Sequence, residues 1–166
     1  MEHQERKTLA WHETLELHEL VAFQSVGLMK IKMAYKKVPD PELKQIYNKC
    51  IHELENNLTE LLKFYPSAPG YQGRDDDEDY REDIGFYAGD LLSLSKALVR
   101  NLSVAITETA TPALRNVLTK QINAGIKGHE RIYNYMHKNG LYPSYDLGRM
   151  LGHDIDNAQK ALKMKY

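Results

Sequence analysis

The stretch Trp11-His12-Glu13-Thr14-Leu15-Glu16-Leu17-His18-Glu19 brings imidazoles and carboxylates together on a short piece of chain. His12 and Glu16 stand four apart, so on a helix both face one side and could share a metal ion. Two ligands alone hold a metal weakly. The first turn of a helix is also where acidic side chains suit the macrodipole. A carboxylate-bridged di-metal centre in a helical bundle asks for much more: one Glu from each of two helices and a Glu-x-x-His from each of the other two. Glu53 is followed three residues on by Asn56, not by histidine, and the corresponding later positions are Ala124 and Lys127. Between Asp90 and Glu108 there is no Asp or Glu at all. What remains is an atypical oxidase- or catalase-like site built from Glu16, His18, Glu53 and His129. In a four-helix arrangement, however, the positions level with His18 are Asn57, Arg100 and Gln121, and His129 lies ~12 Å further along the axis. A guanidinium repels a cation, and neutral amides are poor substitutes for carboxylates. The expectation is no metal, no cofactor and no catalytic residue.

Other reactive residue types point the same way. His129 falls on an apolar line, where a hydrogen-bonded core histidine is expected. Cys50, the sole cysteine, sits among leucines as a small buried hydrophobe. No Ser-His-Asp order, glycine-rich phosphate loop or Cys-x-x-Cys pair is present. The acidic run Asp75-Asp76-Asp77-Glu78-Asp79, continued by Glu82 and Asp83, reads as a solvated connection. A weak calcium site or a dock for a basic partner are its sharper alternatives, although the glycine-centred spacing of an EF-hand is missing. Tyr133, Tyr135, Tyr142 and Tyr145 crowd one region, either packing a tail onto a bundle or forming an assembly surface.

The elements that would position these residues are all helical. Apolar periodicity and punctuation predict helices over about 9–37, 41–65, 84–109 and 112–139, with a short fifth over 146–164. Asp40-Pro41 and Thr111-Pro112 are cap-plus-proline starts, and Asn139-Gly140 is a glycine stop. The expected buried stripes run through Leu17, Val21, Leu28 and Ile31, with Leu20, Phe23 and Gly27 alongside. They continue through Leu43, Ile46, Cys50, Leu54, Leu58 and Leu61, then through Leu91, Leu94, Leu98 and Leu102. The last runs from Leu114, Val117 and Gln121 to Gly125, His129, Ile132 and Met136.

A constant shift of 71 residues relates the two halves: Pro41 to Pro112, Leu43 to Leu114, Ile46 to Val117, Leu20 to Leu91 and Phe23 to Leu94. Two repeated hairpins joined by the connection over 66–83 follow from it. Eighteen extended residues reach at most ~60 Å, more than the ~38 Å of a helix of this size. A lengthwise crossover is therefore possible, and the expected fold is a single all-α, ferritin-like four-helix bundle domain over 1–166 plus the short C-terminal helix.

With 166 residues the chain is long enough to bury a core without staples. Its formal net charge of −1 argues against nucleic-acid partners. No run is apolar enough to cross a bilayer, and the polar start, Met1 to Lys7, does not resemble a signal peptide. A lone thiol fits synthesis in a reducing compartment, the cytoplasm.

Several motifs resemble the spore coat F domain family of endospore-forming bacteria. They are Trp11-His12-Glu13-x-x-Glu16-Leu17-His18-Glu19 with Gln24-Ser25, then Asp90-Leu91-Leu92, Lys96, Glu108 and Thr111-Pro112. The fullest is Tyr135-Met136-x-x-x-Gly140-x-Tyr142-Pro143-x-Tyr145-Asp146, in which Leu141 departs from the tyrosine commoner in that family. The resemblance implies a ferritin-like bundle in the proteinaceous coat of the spore, other coat proteins as partners, a possible homo-oligomer, and no catalytic residues.

Overall fold

The computed structural model describes residues 8–71 and 82–166. Five helices carry the described chain: α1 (Trp11–Tyr35), α2 (Pro41–Leu62), α3 (Glu82–Glu108), α4 (Pro112–Lys138) and α5 (Leu147–Lys163). A single 3-10 turn, Tyr65–Ser67, follows α2. No strand occurs among the described residues, and the fold is all-α. None of the described helices is long and apolar enough to cross a membrane. The acidic run over 75–79 and the middle of the expected crossover lie outside the described residues.

The helix ends follow local chemistry. Asp40 accepts from the Leu43 N–H at 2.7 Å, and proline takes the first helical position of α2, where no N–H is needed. Asp146 caps α5 in the same way, accepting from the Arg149 N–H. At the end of α4, Gly140 adopts φ 71°, a conformation costly for any side chain. The Leu141 N–H then reaches back to the Met136 carbonyl and Gly140 to that of His137, while Leu141 packs on Met136. That double closure with its apolar contact is a Schellman stop.

The chain forms two compact units, α1, α2 and α5 making one and α3 with α4 the other. In the first, Leu17, Val21 and Leu28 of α1, Ile51 and Leu58 of α2, and Leu151 and Ala158 of α5 are buried, most of them completely. In the second, Ala88, Leu92 and Met136 form the centre, with Ile132, Leu141 and Tyr142 against it. Gly125 of α4 lets α3 come close, since a Cβ there would meet Val99 at 3.3 Å.

The 71-residue relation survives in both boundaries and burial. α3 starts 71 residues after α1 and α4 71 after α2. Leu17 and Ala88, Val21 and Leu92, and Tyr65 and Met136 are repeat-related and all buried.

Several expectations about packing are corrected. Cys50 is exposed, and Leu98 is 46% exposed, where both were expected inside. Leu91, Leu94, Leu114, Val117 and Gln121 are exposed as well, as are Leu20, Phe23, Leu43 and Ile46. The reason is that each helix carries apolar residues on two adjacent lines. In α2 the residues actually buried are Leu58, on the expected line, and Ile51, next to the exposed Cys50, while Leu54 is half-buried. The fifth helix is also more than a tail: its 17 residues pack on α1 and α2, and Met150, Leu151, Ile155, Ala158 and Ala161 are buried.

Candidate functional site

Inside the first unit lies a polar cluster, built from residues that punctuate otherwise apolar lines. His18 follows Leu17 on α1, Asp154 lies between Leu151 and Ala158 on α5, and Tyr65 opens the 3-10 turn after α2. The three are 5%, 3% and 1% exposed. The His18 Nδ1 lies 2.8 and 2.9 Å from the two Asp154 carboxylate oxygens. The Tyr65 hydroxyl donates to Oδ2 at 2.9 Å. One carboxylate thereby joins three elements distant in sequence. Burial pushes the Asp154 carboxyl above its ordinary range, while the hydrogen bond and charge of His18 and the Tyr65 hydroxyl pull the other way. Burial, then the Asp154 charge and hydrogen bond, push the Tyr65 hydroxyl well above the ordinary phenol range.

One end of α5 is held by a buried ammonium group. The Lys32 ammonium, in a residue only 2% exposed, donates to the Ala161 carbonyl at 2.7 Å and to Leu162 at 3.1 Å. It also pairs with Glu55 of α2 at 2.7 Å and lies 5.4 Å from the Tyr166 ring centroid. A lysine has three N–H donors, and these partners use all three. A positive charge at a helix C-terminus also satisfies the orphan carbonyls and the dipole there.

An Asp-His pair is half of an acid–base triad, but nucleophilic catalysis also needs a hydroxyl or thiol within reach and an open path for substrate. Here the carboxylate's third partner is a buried phenol, and the whole cluster is closed to solvent. Such an arrangement orients and fastens.

The alkaline limb of stability provides a check on Tyr65. Its folded pKa is raised, so the stability it contributes is complete below the unfolded value, ~10, and is lost as pH climbs above that. Each pH unit beyond ~10 is expected to cost about 1.4 kcal/mol from this residue alone. Tyr65→Phe should flatten that decline in urea titrations between about pH 9 and 11.5. An unchanged slope would place the hydroxyl in water.

The residues singled out by the sequence do not gather. Of the atypical-site set, only His18 is buried, and it faces Asp154. Glu16 and Glu53 are exposed on α1 and α2, with Glu53 4.0 Å from Lys49. His129 is half-buried on α4, its ring stacked on Tyr133, which in turn stacks on His137. His12 is exposed. Among the described residues no three His, Cys, Asp or Glu side chains converge as a metal would need. Tyr142 packs edge-on against Tyr133, which fits the packing reading of the tail, whereas Tyr145 is 91% exposed.

Asp154, Lys32 and Tyr65 escaped the sequence reading. A signal for two of them existed. Asp154 lies three residues after Leu151 and four before Ala158, and Lys32 four after Leu28, so each charge stands on an apolar helical line.

The Coat F domain family model matches residues 85–145. The chain is similar to "Spore coat protein F-like protein YraG" of Bacillus subtilis (strain 168), with 40% identity over 68 residues, 41% of this chain and 80% of that protein. It is also similar to "Spore coat protein F-like protein YraD" of the same organism, 30% identical over 77 residues, 46% of this chain and 78% of the relative. No solved structure matches it significantly.

Proposed function

Because the chain belongs to the spore coat F family, we propose that it is a non-enzymatic component of the spore coat that acts by binding other coat proteins. One observation carries this reading. Among the described residues, the buried Asp154 and Lys32 are engaged in fastening helices, while rows of apolar side chains on α1 to α4 are exposed. Exposed apolar rows on a helical scaffold are what a binding surface needs and what an isolated soluble enzyme avoids. Synthesis in the cytoplasm followed by deposition on the developing spore fits both the family and a lone thiol left reduced. The alternative, a ferritin-like oxidase or catalase using Glu16, His18, Glu53 and His129, draws no support from the placement of these residues, since His18 is committed to Asp154 and both glutamates face outward.

Localisation of a fluorescent fusion in sporulating cells tests the proposal. A shell of signal around the forespore that persists on the mature spore is expected. Diffuse signal in either compartment through to spore release would overturn it.

A further inference from the structure

Asn139 is followed by Gly140, and no other asparagine of the chain precedes a glycine. That pairing is the one most open to self-modification of the backbone. Glycine has no Cβ to shield its amide nitrogen. The nitrogen can therefore close a five-membered ring on the side-chain carbonyl carbon of the asparagine before it. The pair stands at the stop of α4, and Asn139 is exposed, so solvent can take up and supply the protons of such a step.

The stop holds the reacting atoms apart in three ways. Asn139 has ψ 10°, which lines the Gly140 nitrogen up with the backbone nitrogen of Asn139 itself. Ring closure needs that nitrogen turned to the Cβ side. The Gly140 N–H donates to the His137 carbonyl at 3.1 Å, so the nucleophile is engaged. The Asn139 side-chain amide donates to the Tyr135 carbonyl at 2.7 Å, which fixes the carbon that would be attacked. Leu141 secures the whole turn. Its N–H donates to the Met136 carbonyl at 2.8 Å, and its side chain and that of Tyr142 pack on Ala88, Leu92 and Met136.

From this geometry we infer that Asn139 is a deamidation site gated by opening of the α4 stop, and that its conversion keeps the stop open. In the step, the Gly140 nitrogen gives its proton to water or hydroxide and bonds to the Asn139 Cγ. The Cγ–Nδ2 bond breaks, and ammonia leaves after taking a proton from water. Water then opens the ring at either carbonyl, leaving aspartate or its β-linked isomer. No oxidant or reductant takes part. Either product works against the stop. The new carboxylate has no N–H for the Tyr135 carbonyl, and it puts negative charge at a helix C-terminus, where the dipole disfavours it, although His137 and Lys138 lie in the same turn. The β-linked isomer also lengthens the backbone by one atom, so the Leu141 N–H no longer meets the Met136 carbonyl in register. Leu141 and Tyr142 then leave the α3–α4 core.

The test uses the full-length protein, incubated at mildly alkaline pH, with conversion at residue 139 read by peptide mass mapping. Conversion in guanidinium-unfolded chain is expected to outpace that in the native protein by roughly tenfold or more, because opening must precede reaction. Leu141→Ala, its helicity checked by circular dichroism, should narrow that gap several-fold by loosening the turn. Asn139→Asp stands in for one product and needs no incubation. It should speed hydrogen exchange at the Leu141 N–H by roughly 5- to 10-fold, while amides in the middle of α3 keep their rates. Equal conversion in native and unfolded chain would overturn the inference, as would no conversion at Asn139 in the unfolded chain. A folded Leu141→Ala protein that reacts no faster than the unmodified one would overturn the gating. Unchanged exchange at Leu141 in Asn139→Asp would overturn the release. None of these failures bears on where the protein resides in the spore, which the fusion reads separately.

Discussion

Asp154→Ala is expected to cost about 2–6 kcal/mol of stability, because it strands two buried polar partners at roughly 1–3 kcal/mol each. The carboxylate holds His18 at 2.8 Å and Tyr65 at 2.9 Å, and all three side chains are closed to water. Its loss leaves an imidazole and a phenol without their shared acceptor inside an apolar setting, and each stranded polar group carries its own desolvation cost of roughly 1–3 kcal/mol. Domains of ordinary size have only about 5–15 kcal/mol in hand, so the first unit should be close to unfolding. The cost belongs to stranding and not to the pair as such. His18→Leu combined with Asp154→Leu should therefore destabilise less than the sum of the single changes, a coupling visible in a double-mutant cycle. Urea midpoints followed by circular dichroism supply the numbers. A single-change cost below about 1 kcal/mol, the surface value, would mean that the cluster opens to solvent.

Leu58→Ala should come next in size, at roughly 2–5 kcal/mol, because Leu58 is wholly buried among α1, α2 and α5 and its removal leaves a cavity. The informative comparison is Leu98→Ala. Leu98 looks like Leu58 in the sequence, a leucine on an amphipathic helix, yet it is 46% exposed. In the monomeric protein its truncation should cost less than about 1 kcal/mol. Equal, large losses at both positions in dilute monomer would show that the α3 ridge is buried after all.

That contrast shows what local sequence can and cannot convey. Helix starts were legible because their causes are local: proline opens α2 and α4, Asp40 caps α2 although Thr111 makes no side-chain cap on α4, and Gly140 ends α4 in the conformation only glycine adopts cheaply. The repeat was legible for the same reason, and the described helices start in its register. Which of two adjacent apolar lines is covered was not legible, since that depends on a partner helix. In α2 the expected stripe holds at Leu58 but not at its start, where Ile51 is buried and Leu43, Ile46 and Cys50 are exposed. The central polar cluster was hidden for a related reason: His18 and Asp154 lie 136 residues apart, and nothing near either residue announces the other. The role of α5 went with it, because a short amphipathic segment after a turn looks the same whether it docks or dangles.

The resemblance to coat F proteins was readable from ordered motifs, above all Tyr135-Met136 through Tyr142-Pro143, and the family match over residues 85–145 covers most of that stretch. The sequence has Asn56 three residues after Glu53, where a Glu-x-x-His pair would need histidine. Position adds that Glu16 and Glu53 are exposed and that His18 is bound to a buried carboxylate.

The central claim is that this chain works in the spore coat through its surfaces and not through chemistry. Its most direct test is the quantity of protein extracted from purified spore coats when Glu16→Ala, Glu53→Ala and His129→Ala are combined, with helicity checked beforehand. These three changes remove every residue of the oxidase- or catalase-like set except the structurally committed His18. The account predicts the same coat-bound amount as the unmodified chain, and an unchanged protein composition of the coat. A folded triple variant that fails to enter the coat, or that alters the composition of the coat around it, would contradict the account.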